Sequence, residues 1–526
     1  MTLKLRATSR GLDGQDSRGV LEARVSIYIE FAIAFAIVLI ARGSAVTAIN
    51  LMGDDFYFWA FDSDATSLAS SFIAQLRAPA AVLVKLFTWL GAQVPFAGSL
   101  WAASASAGLV SFGLALRSTW IPGSASIYGV TLALMFALFP YHNNLILFTI
   151  VTPFIGVFLL CGALAMVFCD QGGWKTLASI VAFAIAVSYQ AFFSYFLIAF
   201  GFMLAIMVCR LMFIQQVPVR AWLDYLKPLG VRLLCFVAGV ALSVLVGKLM
   251  VVLVGSGEAA SRTSFASLQE LPEKIQILKG HLLRFTLRRE TNVPRGVKIV
   301  QLLLLGSVMV GIGKVVARSC TRNRKLIVYP LILAAVLAVC ACLPMFPMIM
   351  LSHTSLNPRV LAGIAVFWAG VFSLASLTSS LRLRALSLIL AMVVVASYAF
   401  ITNAISVDFS ILNMRDRLAA NRMVERLSLL PGYDKVRTYV VTGSRPGFNM
   451  QNLTSVDYFS SSLNIPWSAP SVIGDMSGRK YRLPSPQEVT RASERANEMP
   501  LWPAAGSVAI DGEIGIVALG NDVGEP

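Results

Sequence analysis

The chain has 526 residues, of which 57% are hydrophobic and only 13% charged, with a mean hydropathy of +0.74 and a formal net charge of +16. A soluble core does not absorb so much apolar surface, which excludes an ordinary globular protein and points to a chain that crosses a membrane many times. The charge does not mark a nucleic-acid binder: residues 1–405 carry 31 Lys and Arg against 14 acids and residues 406–526 carry 12 against 13, so the basic excess lies in the membrane part. There it indicates cytoplasmic loops and contacts with anionic membrane lipids.

Residues 1–24 form a basic tail (Lys4, Arg6, Arg10, Arg18, Arg24), followed by apolar runs near 25–46, 98–117, 124–139, 149–168, 175–190, 192–210, 229–254, 298–317, 327–350, 359–378 and 385–405. Glu30, within the first run, is expected to pack or pair near its cytoplasmic end. Arg42 interrupts that run and Ala45-Val46-Thr47-Ala48 has a faintly cleavable look, but a polytopic chain needs its first anchor, so the helix is expected to stay uncleaved. A shorter run, 78–93, has Lys85 at its centre.

Lys and Arg bias places 1–24, 210–232, 317–325 and 382–384 in the cytoplasm. Counting back from 210–232 puts 117–124 inside and 140–148 outside, provided that 78–93 lies in the outer interface instead of crossing. The expected fold is an all-α polytopic membrane protein of about 11 transmembrane helices plus an interfacial helix. Its membrane domain spans 25–405, with extracytoplasmic loops at 49–97 and 255–297. Residues 406–526 read as a small α+β domain on the outer side. Helical periodicity runs over 414–430 up to Pro431-Gly432, and strand-like alternation over 438–441 and 507–519. The seven cysteines (161, 169, 209, 235, 320, 340 and 342) sit in apolar segments or at their basic ends, with neither a disulfide framework nor metal-type spacing.

Four of the 14 acids before residue 406, Asp54, Asp55, Asp62 and Asp64, share one loop. In the expected topology the outer face also collects Tyr57, Trp59 and Arg77 from the first loop, His142, Asn143 and Asn144 from the second, and Ser188-Tyr189-Gln190 between two spans. The loop 255–297 adds Arg284, Arg288, Arg289 and Arg295, and the last outer loop adds His353 and Arg359. Such a set suits transfer of a sugar from a lipid phosphate. An acceptor hydroxyl needs a general base, which Asp54 or Asp55 can supply, since partial burial beside a second carboxylate would raise one pKa toward neutrality. Arg77, Arg288, Arg289 and Arg359 are candidate contacts for the donor phosphate, whose negative charge grows as it departs. Tyr57, Trp59, His142, Asn144, Tyr189, Gln190 and His353 are candidate substrate-binding groups, the aromatics because they suit sugar faces at an interface. Each has a plainer reading too: solvated turn, headgroup anchor or backbone-satisfying polar residue.

The chain resembles the phage-type, serotype-converting O-antigen glucosyltransferases of the GT-C superfamily. The resemblance rests on Gly53-Asp54-Asp55-Phe56-Tyr57, Gln75-Leu76-Arg77-Ala78-Pro79, Ser188-Tyr189-Gln190-Ala191, Asn357-Pro358-Arg359 and the helix 413–427, and covers about residues 25 to 430. It implies a GT-C-like fold, a polyprenyl-phosphate-linked hexose donor, glucose foremost, and a lipid-linked O-antigen or other cell-surface glycan as acceptor. The place implied is the outer face of a bacterial inner membrane, with the tail domain periplasmic. Two departures stand out. Leu76-Arg77 occupies the position where members often carry Gly-Arg, and the loop 140–148 offers His142 and Asn144 but no carboxylate. No cofactor is required, since arginines neutralise a lipid monophosphate leaving group, although Asp54 and Asp55 are also able to hold one divalent cation. The rival readings are a transporter or flippase of lipid-linked glycans, which calls for ionisable residues at the membrane midplane, and a non-catalytic assembly protein, which gives Asp54 and Asp55 no purpose.

Overall fold

The computed structural model describes residues 16–47, 51, 55, 66–90, 98–147, 151–215, 222–254, 267–286, 293–322, 329–346, 358–443 and 461–519. Its membrane part is helical. In chain order the helices are α1 (Asp16–Ala41), α2 (Thr66–Ala74), α3 (Ala78–Trp89), α4 (Gly98–Trp120), α5 (Ser126–Ala137), α6 (Thr152–Phe168), α7 (Trp174–Val187) and α8 (Ala191–Val208). They continue with α9 (Trp222–Val254), α10 (Leu271–Thr286), α11 (Arg295–Arg322), α12 (Tyr329–Cys342), α13 (Ile364–Ala375) and α14 (Leu381–Ser428). Five segments are long and apolar enough to cross a membrane, Gly98–Trp120, Ala191–Leu211, Asp224–Val254, Arg295–Thr321 and Leu381–Ser428, and seven shorter apolar helices accompany them among the described residues.

The centre of the bundle is built on residues without bulk. A Cβ on Gly108 of α4 would lie 2.6 Å from the Gly156 carbonyl oxygen of α6, and one on Gly156 would lie 2.4 Å from Ser104 Oγ. Small residues let two helix backbones touch where lipid supplies no hydrophobic drive for association. On the next face of α4, a Cβ on Gly113 would lie 2.7 Å from the Cα of Ala133 in α5. By contrast α9 exposes Leu234, Leu245, Val252 and Leu253, the apolar surface of a helix at the periphery.

Polar residues lock α1 at its middle and just past its end. At the middle Glu30, buried at 1% exposure, pairs with Arg117 of α4 at 3.2 Å and accepts from Ser26 Oγ at 3.1 Å, so the expected pairing role holds. Just past its end Arg42 is fully buried and donates through Nη1 to Ser106 Oγ (3.1 Å) and through Nη2 to the Ala137 carbonyl (2.6 Å). Ala137 closes α5, so the guanidinium meets the negative end of that helix.

The expected boundary at 405/406 is not a structural boundary. Helix α14 runs unbroken for 48 residues, about 72 Å, against a hydrocarbon core of about 30 Å. No Pro or Gly interrupts 381–428, and the chain turns only after Pro431, at Gly432 with φ +90°. The expected helix at 414–430 is therefore the C-terminal part of a helix that begins in the membrane domain.

Around that part packs the tail domain: β1 (Thr438–Thr442), α15 (Ala469–Ser477), α16 (Pro486–Ala496), β2 (Val508–Asp511) and β3 (Ile514–Ala518). The sheet order is β1-β3-β2, with β1 parallel and β2 antiparallel to β3. The alternating stretch 507–519 is thus two strands, because Gly512, at φ +62°, reverses the chain between Asp511 and its partner Ile514. The domain core gathers Met423, Leu427, Tyr439, Leu463, Val472, Ile473 and Val517, and Leu51 from the first loop belongs to it.

Candidate functional site

Helix α2 ends in a left-handed turn that sets the direction of Arg77. The Arg77 N–H donates to the Phe72 carbonyl (2.8 Å) and the Leu76 N–H to the Ile73 carbonyl (2.9 Å), with Leu76 at φ +59° between them. This is the Schellman pattern, whose left-handed position is usually glycine. Leucine there is strained by about 1 kcal/mol relative to glycine. Opposite the turn, α9 presents Gly247, where a Cβ would come within 3.1 Å of the Leu76 Cβ.

Arg77 leaves this turn toward the break between α7 and α8. Its Nε and Nη2 donate to Gln190 Oε1 at 3.2 and 3.1 Å, and its guanidinium carbon lies 4.9 Å from the centroid of the Tyr189 ring. Gln190 Nε2 in turn donates to the Gln75 carbonyl at 3.0 Å. That second bond fixes the amide orientation and with it the acceptor that Arg77 meets. Two short motifs more than a hundred residues apart in the chain thus close into one hydrogen-bonded unit. A forked donor pair on a planar cation is a function that arginine performs and lysine does not.

From this unit an aromatic stripe runs along the first turns of α8. Tyr189 packs on Phe192 (centroids 5.2 Å apart) and Phe192 on Tyr195 (5.0 Å), the three-residue spacing that places side chains on one helix face. The Tyr195 hydroxyl is 2.9 Å from His142 Nε2. His142 is fully buried, edge-on to Phe136 at 5.0 Å, in the turns Pro140–His142 and Asn143–Ile146 that link α5 to α6. Asn143 and Asn144 beside it are buried too, and neither amide atom of Asn144 has a hydrogen-bond partner among the described residues. The short helix Pro358–Leu361, which carries the half-buried Arg359, packs against these turns. The second and last outer loops of the sequence reading therefore meet.

Of the two acidic candidates, Asp55 is fully buried, and Leu51 ahead of it is tied by its N–H to Asn413 Oδ1 of α14 (2.8 Å). Asp54, Tyr57, Trp59, Arg288, Arg289 and His353 lie outside the described residues, as do Asp62, Asp64 and the Arg284 side chain. Sequence reasoning missed Tyr195, Ser106, Leu51 and Asn413, and it treated Arg42 only as an interruption. An arginine inside an apolar run is costly enough to signal a buried partner; the others carried no such mark.

Comparison of the chain with protein-family models, with curated proteins and with solved structures yields no match.

Proposed function

We propose that this protein is a membrane glycosyltransferase of GT-C type that moves a hexose, glucose foremost, from a polyprenyl-phosphate donor to a lipid-linked O-antigen or similar cell-surface glycan. The observation that carries the reading is the closed unit of Arg77, Tyr189, Gln190 and the Gln75 carbonyl. It joins two of the segments on which the family resemblance rests.

In this mechanism the acceptor hydroxyl oxygen attacks the anomeric carbon while the bond from that carbon to the phosphate oxygen breaks. The hydroxyl proton passes to Asp54 or Asp55, and the electron pair leaves with the polyprenyl phosphate. One direct displacement inverts the anomeric centre. Arg77 and Arg359, with Arg288 and Arg289, stabilise the charge that grows on the leaving phosphate. Tyr189, Gln190, His142 and Asn144, with Tyr57, Trp59 and His353, bind the sugars.

The proposal places the site at the outer face of a bacterial inner membrane, with the N-terminus cytoplasmic and the tail periplasmic. Its support is that Leu51 and the tail share one core, so an even number of crossings separates them. Counting α4, α5, α6, α7, α8, α9, α11, α12, α13 and α14 as crossings satisfies this only when α3 lies in the interface.

The test is glycan analysis of a deletion strain complemented with Arg77→Ala, Asp54→Asn or Asp55→Asn. Loss of the added hexose in the Arg77 variant and in at least one Asp variant is expected. Normal modification by stably inserted forms of all three contradicts the reading, as does transfer by the purified protein from a nucleotide sugar without any lipid donor.

A further inference from the structure

Leu51 stands alone among the first-loop residues in belonging to the tail-domain core among the described residues, and it does so at 1% exposure. Its backbone is held as well as its side chain. The Leu51 N–H donates to Asn413 Oδ1 at 2.8 Å, and Asn413 Nδ2 donates to the Phe409 carbonyl at 3.2 Å, so the amide is held with its oxygen toward the loop. One helical turn further, Asp416 of α14 accepts from Ser461 Oγ (2.6 Å) and from the Ser462 N–H (2.7 Å), which fixes the tail segment beside Leu463. Asn413 and Asp416, three apart, lie on one face of the helix. One face of α14 therefore grips the first loop at one position and the tail domain at the next, and the side chains of Leu51 and Leu463 enter the same core.

Asp55 is four residues beyond Leu51, so the covalent chain keeps it within about 14 Å of this anchor. Asp55 is itself fully buried. The anchor at Leu51 therefore bounds where this buried carboxylate can sit.

We propose that the tail domain is a clamp on the first loop, acting through Leu51 as a plug in its core and Asn413 as the hydrogen-bond acceptor, and that it limits the reach of Asp55. Leu51 and Asn413 are positioning residues. That Asp55 supplies the base for sugar transfer rests on the proposed function; the clamp itself does not.

The experiment is hydrogen–deuterium exchange on the full-length protein, comparing Asn413→Leu, Asn413→Asp and Leu51→Ala with the parent. Asn413→Leu removes the acceptor and keeps the plug, while Asn413→Asp keeps an acceptor oxygen. Exchange over 51–56 is expected to rise at least tenfold in Asn413→Leu and in Leu51→Ala, and to stay near the parent in Asn413→Asp, with peptides over 66–90 and 508–519 unchanged. Should Leu51→Ala unfold the tail, Asn413→Leu decides. Exchange over 51–56 equal to the parent in Asn413→Leu overturns the clamp. Transfer kinetics form the second arm: kcat falls at least tenfold in Asn413→Leu with little change in KM for the donor, and Asn413→Asp restores it. A parent that transfers no sugar contradicts the proposed function and leaves the exchange result to judge the clamp alone.

Discussion

Leu76 and Gly247 face each other across the contact of the α2–α3 turn with α9, so closely that a Cβ on the glycine would lie 3.1 Å from that of the leucine. The leucine is meanwhile held at φ +59°. The left-handed backbone at this one residue directs Arg77, and the missing side chain at Gly247 leaves room for the leucine. Leu76→Gly is therefore expected to keep the turn and keep transfer, with backbone relief of about 1 kcal/mol offsetting the lost side-chain contact. Leu76→Val is expected to lower stability by about 1–2 kcal/mol, because a β-branched residue tolerates the left-handed region worst. Thermal unfolding in detergent measures both.

At the Arg77–Gln190 unit the geometry is forked, and conservative charge retention is not enough. Arg77→Lys keeps the cation but loses the two-donor contact with Gln190 and the guanidinium's contact with Tyr189. Gln190→Leu removes the acceptor of Arg77 and the donor to the Gln75 carbonyl. Each is expected to reduce transfer about tenfold to a hundredfold, the worth of one or two charge-assisted hydrogen bonds. Initial rates with a polyprenyl-phosphate hexose check this, with Lys85→Gln as a control on an exposed position.

The α4–α6 crossing gives a prediction about stability alone. Gly156→Leu forces atoms into Ser104 and is expected to cost at least about 1–3 kcal/mol. Gly306→Leu on α11, where a Cβ meets nothing within 4 Å, is expected to be tolerated. Monodispersity after extraction and the unfolding midpoint distinguish the two.

The tail domain carries a pH dependence of its own. Glu488 forms a capping box with Ser485 at the start of α16 and accepts from Arg482 at 2.7 and 2.5 Å. Hydrogen bonds from the Arg482 guanidinium and the Ser485 backbone hold its carboxyl at about 2, below the ordinary 4.5. A lowered folded pKa means that the stabilisation is complete above about pH 4.5 and is lost as pH falls through about 2. Because Arg482 is about half exposed, solvent screening keeps the effect modest. The protection of amides over 486–496, corrected for the intrinsic pH dependence of exchange, is expected to fall across this window in the parent, and Glu488→Gln is expected to flatten the response.

Local features of the chain were legible where burial and periodicity act locally. The apolar runs at 98–117 and 192–210 correspond to α4 and α8, and the polar Ser188-Tyr189-Gln190 interruption falls at the break between α7 and α8. The strand at 438–441 is β1. What the sequence concealed depends on partners distant in the chain. Leu51 reads as an ordinary apolar residue at the end of a span, and its place in a core with Leu427 and Tyr439 follows only from the three-dimensional path. Tyr195 reads as one more aromatic in an apolar helix until His142 is seen beside it. The boundary at 405/406 was misplaced because composition changes there while helix propensity does not. The alternation over 507–519 concealed a reversal that a single glycine carries.

The central claim, that an Arg77-centred site with an acidic base transfers a lipid-linked hexose, is tested most directly in reconstituted liposomes. These contain the purified protein, a polyprenyl-phosphate hexose labelled in the sugar and a lipid-linked glycan acceptor. The account predicts label in the acceptor with inverted anomeric configuration, reduced at least a hundredfold by Arg77→Ala and by Asp54→Asn or Asp55→Asn. Label that crosses the bilayer on its original lipid without joining the acceptor, unaffected by any of the three substitutions, contradicts it.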